Sequence, residues 1–122
     1  MIGYVTLGSN DLEKGVKFYD DLIGFMGGKR LFNMDRIYFW AGADGGPMLS
    51  LCRPYDEKTA TGGNGTMVAL AAKSKEDVNK FHAKALELGA TDEGAPGART
   101  DNFYGAYCRD LDGNKLCFFI MG

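Results

Sequence analysis

Tyr4-Val5-Thr6-Leu7 and Met67-Val68-Ala69-Leu70 are two versions of one segment. The gap-free register that superposes them also lays Glu13 on Glu76, Lys17 on Lys80, Phe18 on Phe81 and Tyr19 on His82. At a slightly longer offset, Leu49-Ser50-Leu51 falls on Leu116-Cys117-Phe118. Each half therefore reads as a strand, a helix and then further strands, the pattern of an internal duplication. The matched residues are few and common, so chance similarity is the competing explanation.

Working outward, residues 2 to 8 alternate as a strand, with Val5 and Leu7 on one side and Tyr4 and Thr6 on the other. Asn10, with Glu13 three residues on, predicts a capped helix over residues 11 to 23, with the stripe Leu12, Val16, Tyr19 and Ile23. Strands are expected at residues 29 to 33, 36 to 41 and 48 to 53, the last two separated by Asp44-Gly45-Gly46-Pro47. Repeat one thus spans about residues 1–53. Residues 54–65 form a linker rich in Gly and poor in apolar side chains, and repeat two covers about 66–122. In the second repeat, Ser74 caps a helix with the stripe Val78, Phe81, Ala85 and Leu88 that Gly89 stops. Ala90 to Glu93 reads as a short edge strand and Gly94-Ala95-Pro96-Gly97 as a loop. Residues 102 to 109 and 115 to 121 read as a hairpin closed at Asp112-Gly113.

The chain has 122 residues, enough for one domain, whereas a half of about sixty would be marginal alone. Fourteen basic and sixteen acidic side chains leave it slightly acidic, with no basic stripe for nucleic acid. No apolar run approaches a membrane span, and the N-terminus lacks the pattern of a signal peptide. Three cysteines without close spacing argue against a disulfide framework and for a cytoplasmic location.

With these elements placed, the chain resembles the vicinal oxygen chelate superfamily of glyoxalase I, bleomycin-resistance proteins and extradiol dioxygenases. The resemblance rests on Tyr4-Val5-Thr6-Leu7 with Asn10-Asp11-Leu12 and Phe18-Tyr19, on Met67-Val68-Ala69-Leu70, and on the ending Arg109-Asp110-Leu111-Asp112-Gly113-Asn114-Lys115-Leu116. That ending is similar to a D-P-D-G-N-x-[ILV]-E motif, with Leu111 where Pro is usual and Cys117 where the acid is usual. The resemblance implies an α+β fold of two βαβββ repeats forming a curved, cupped mixed sheet with helices outside. It also implies a single domain over residues 1–122.

Metal enzymes of that superfamily take a ligand from the first and last strand of each repeat. Carried over, those positions are Tyr4, Ser50, Met67 and Cys117. None is a carboxylate or an imidazole, the donors that magnesium, manganese or ferrous iron need. No metal and no cofactor is therefore expected, although a softer ion on Met67 and Cys117 is an alternative.

No catalytic residue is assigned. Cys52 and Cys117 read as small core fillers rather than nucleophiles, and His82 as a helix histidine. Asp110, Asp112 and Asn114 read as a turn rather than a calcium loop. Tyr38 and Trp40, with Arg36 on the same strand face, and Tyr107 with Cys52, are expected to line an aromatic cavity beside Tyr4. Equally, these rings could pack against a second subunit. The function expected is binding of a small aromatic or amphipathic molecule by a homodimer. The alternatives are a glyoxalase-type lyase or isomerase, similar to lactoylglutathione lyase, and an interaction module.

Overall fold

The computed structural model describes residues 1–122. The chain divides into two compact units, Met1–Gly62 and Gly63–Gly122. In the first, β1 (Tyr4–Gly8), α1 (Leu12–Phe25), β2 (Lys29–Met34), β3 (Ile37–Gly42) and β4 (Gly45–Cys52) follow one another. In the second, β5 (Val68–Ala71), α2 (Lys75–Glu87), β6 (Thr91–Thr100), β7 (Phe103–Arg109) and β8 (Lys115–Met121) do the same. The fold is therefore α+β with two βαβββ units. Backbone hydrogen bonding places their strands in two four-stranded sheets, ordered β1-β4-β3-β2 and β5-β8-β7-β6.

The duplication recurs in the pairing register. Val5, Thr6 and Leu7 lie beside Leu49, Ser50 and Leu51 in parallel. Val68, Ala69 and Leu70 lie beside Leu116, Cys117 and Phe118 in the same sense.

Each unit buries one sheet face under its helix. In the first, Val16, Tyr19, Leu22 and Ile23 of α1 are buried, as are Leu7, Leu49, Leu51 and Trp40 of the sheet. The spacing is tight: a Cβ on Gly15 would stand 2.7 Å from Leu51 Cδ2. In the second, Phe81 of α2 meets Phe118 edge-on at 6.3 Å, and Val78 and Ala85 are fully buried.

The termini of the elements have local causes. Asp11, not Asn10, caps α1, its carboxylate accepting from Lys14 N at 3.2 Å. Asn10 instead holds the linker: its amide donates to Ala60 O at 3.1 Å and accepts from Ala60 N at 2.7 Å. Ser74 caps α2 as expected, accepting from Asp77 N at 3.0 Å, and Gly89 follows the helix at φ +109°. The expected loop at residues 94 to 97 is part of β6, which runs with bulges along the sheet edge. An edge strand tolerates Pro96, because its missing N–H would face away from the ladder.

Asp20 of α1 joins helix to sheet. It accepts from Trp40 Nε1 at 2.9 Å and from Arg30 Nε at 3.1 Å. The hydrogen bond from the Arg30 guanidinium holds the Asp20 carboxyl below its usual range, partial burial opposing and the indole N–H assisting. A carboxyl lowered in this way stabilises the fold above its unfolded pKa of about 4, and the contribution fades as pH falls through the lower folded value. Asp20→Asn is therefore expected to lower the urea midpoint at neutral pH and to narrow the gap to the wild type as acid is added. A gap constant across that range would contradict this role.

Candidate functional site

In each sheet one face is covered by the unit's helix and the other is left open by it. Opposed residues of antiparallel strands share a face, so the register assigns every side chain. In the first unit, Phe39 opposes Ser50 and Ile37 opposes Cys52. Phe32 opposes Phe39, and Thr6 lies beside Ser50. Tyr4, Thr6, Ser50, Cys52, Phe39 and Phe32 therefore stand on the open face. Tyr4 meets Phe39 edge-on at 5.3 Å, and Phe32 stacks on Phe39 at 4.6 Å, making one aromatic row. Phe39 is buried, while Tyr4 is 53% and Phe32 43% exposed, so the row presents two rings to solvent.

Tyr38 and Trp40 do not belong to this row. Trp40 opposes Leu49 and Tyr38 opposes Leu51, residues that face α1. The Trp40 indole is 1% exposed, bonded to Asp20 and 5.7 Å from the Tyr19 ring. Tyr38 stacks on Trp40 at 6.4 Å, and the Arg30 guanidinium lies 5.0 Å from the Tyr38 ring centroid. The expected cavity lining by Tyr38 and Trp40 is thus corrected: the acceptor that the indole needs when buried is on the helix. Arg36 is also elsewhere. It sits in the β2–β3 turn, donating to Arg53 O at 2.8 Å and covering the Tyr55 ring at 5.3 Å. Phe39 and Phe32 take the place expected for Tyr38 and Trp40.

In the second unit, Tyr107 opposes Cys117, which lies beside Ala69. Gly105 opposes Phe119 and Phe103 opposes Met121 on the same face, and the Phe103 and Phe119 rings stack at 5.4 Å. Met67 immediately precedes β5 and is 43% exposed. Burial raises the Tyr107 hydroxyl pKa above its ordinary value, with the neighbouring Cys117 adding to the shift and Arg99 opposing it. The guanidinium of Arg99 stands 5.2 Å and the ammonium of Lys115 5.5 Å from the Tyr107 ring centre.

The four carried-over ligand positions offer a divalent ion little. Ser50 is fully buried, and its hydroxyl is engaged with Val5 O at 3.1 Å and Thr6 Oγ1 at 2.7 Å. Tyr4 brings a phenol and Met67 a thioether. Burial pushes the Cys117 thiol up, away from the thiolate that a metal would require. No cluster of three His, Cys, Asp or Glu side chains has a metal-binding arrangement. These residues do not fit the superfamily's divalent ion.

The cysteines are buried and the histidine is engaged. Cys52, Cys108 and Cys117 are all buried free thiols, and burial raises Cys108 to about 12. His82 is buried on the helix side, with Nε2 3.0 Å from Asp92 Oδ1 and 3.2 Å from Tyr107 O. Both neighbours are acceptors, so Nε2 is the donor in these contacts. Asp110, Asp112 and Asn114 form a turn: Asp110 accepts from Asp112 N, Asn114 N and Asn114 Nδ2, each at 2.9 Å.

The sequence profile of the Glyoxalase/Bleomycin resistance protein/Dioxygenase superfamily matches residues 1–118. A glyoxalase/bleomycin resistance protein from Albidiferax ferrireducens T118 is 38% identical, covers 98% of this chain and 97% of its own, and superposes with a TM-score of 0.88. A hypothetical protein of S. aureus is 26% identical over 98% of this chain and 96% of its own, with a TM-score of 0.76. The fold is shared at 17% identity by a family enzyme from Burkholderia phytofirmans PsJN, over 96% and 95% of the two chains, with a TM-score of 0.78. No curated protein sequence matches significantly.

Proposed function

Because the chain belongs to the Glyoxalase/Bleomycin resistance protein/Dioxygenase superfamily, we propose that it binds a small aromatic or amphipathic molecule on its open sheet faces, without a divalent metal. The observation that carries this reading is the row Tyr4, Phe39 and Phe32, two of whose rings are presented to solvent on a sheet face that no helix of the unit covers. Rings held edge-on and stacked offer a flat apolar surface at little further cost in side-chain entropy. The reading includes a homodimer working in the cytoplasm. Consistent with that compartment, no helix is long and apolar enough to cross a membrane, and all three cysteines are free.

A thermal-shift screen of aromatic and amphipathic compounds tests the reading. A ligand at about one hundred times its Kd adds about 2.7 kcal/mol to the folded state, a shift of several degrees. The shift should survive chelator and shrink in Phe32→Ala and Tyr4→Ala. No shift with any such compound, or one undiminished in both variants, would overturn the assignment of the row.

A further inference from the structure

The two units carry different chemistry at equivalent places. Phe39 opposes Ser50 in the first, and Tyr107 opposes Cys117 in the second. Yet Phe39 is flanked by the neutral rings of Tyr4 and Phe32, whereas Tyr107 is flanked by two cations. We propose that the open face of the second unit is an anion subsite, in which Arg99 and Lys115 beside the Tyr107 ring take the carboxylate or similar acidic group of an amphipathic organic ligand. This deepens the ligand-binding reading above and rests on it.

The geometry supplies the parts. Arg99 is fastened to the bulged edge strand β6, donating through Nη1 to Gly97 O at 2.9 Å and through Nη2 to Ala95 O at 2.6 Å. Those bonds use two of its five N–H groups and fix the guanidinium plane, leaving donors for a ligand. Gly94 makes room: a Cβ there would stand 2.9 Å from Tyr107 Cδ2 and 3.3 Å from Arg99 Nη2. Lys115 is the second cation, with only a 3.8 Å approach to Glu93 Oε1. Glu93 is already engaged at 2.8 Å by Arg109 Nε, so two cations share one carboxylate. Arg99 and Lys115 both favour negative charge at the Cys117 sulfur, which locates the positive field on this face. The half-buried Tyr107 ring adds an apolar wall, so that an aromatic acid would meet ring and charge together.

Calorimetric titration with 2-naphthoate and with its neutral relative 2-naphthylmethanol tests this. The acid should bind about tenfold more tightly than the alcohol, as a charge-assisted hydrogen bond allows. The preference should fade between about 0.01 M and about 1 M salt, as the Debye length falls from about 30 Å to about 3 Å. Arg99→Gln and Lys115→Gln should each weaken acid binding far more than alcohol binding and so remove most of the preference. Glu93→Gln should strengthen acid binding, an outcome that simple damage to the fold would not give. Equal affinities for acid and alcohol would overturn the anion subsite and leave ligand binding standing. Failure of both probes to bind would overturn the two together.

Discussion

Trp40→Ala is expected to destabilise the protein by about 3–5 kcal/mol, the cost of deleting a large buried aromatic side chain. The indole fills the layer between α1 and its sheet, against Tyr19 and Tyr38. Its removal leaves a cavity there and takes a donor from Asp20. Domains of this size have a total stability of about 5–15 kcal/mol, so the variant would be close to its unfolding threshold at ambient temperature. Trp40→Phe keeps most of the volume but not the N–H, and should cost less. Urea unfolding checks both. A loss below about 1 kcal/mol for the alanine variant would mean that the indole is not a core residue, since exposed positions give changes of that size.

Asp110→Ala should have an effect of similar size through different physics. The carboxylate gathers three donors in the turn between β7 and β8, and Asp110 and Asn114 are both buried. Alanine would leave those N–H groups without their acceptor, at about 1–3 kcal/mol for each that water cannot reach. The loss expected is about 3 kcal/mol or more, and it should fall on the second unit. Amide hydrogen exchange would show it as faster exchange in β7 and β8 than in β3 and β4. Asp110→Asn keeps an acceptor oxygen and should recover part of the stability. An alanine variant as stable as the wild type would show that the turn does not depend on this side chain.

The duplication was legible because pairing register leaves a trace in sequence. Val5 beside Leu49 and Val68 beside Leu116 are the same contact made twice, and the apolar residues that face the helices are the ones that alternate. The Asp-x-Asp-Gly-Asn ending was legible as a turn because its side chains bond their own backbone, a local arrangement. Capping at Asn10 was misread for the opposite reason: its partner, Ala60, is far along the chain.

Strand β3 shows where pattern runs out. Both of its faces are aromatic, Tyr38 and Trp40 on one and Phe39 on the other, so alternation alone cannot tell which is covered. The choice is made by Asp20, which offers the buried indole an acceptor from a different element. Likewise, Arg99 reaches Tyr107 only because a bulged strand brings it there. A run holding Gly94, Pro96 and Gly97 reads as a loop until its pairing with β7 is known.

The claim on which the account turns is that ligand binding here needs the aromatic row and no divalent ion. Titrating 2-naphthylmethanol into protein freed of metal by chelation and dialysis tests it directly, with Phe32→Ala and Tyr4→Ala alongside. The wild type should bind without added metal and both variants should bind more weakly. Binding that appears only when a divalent ion is restored would contradict the account.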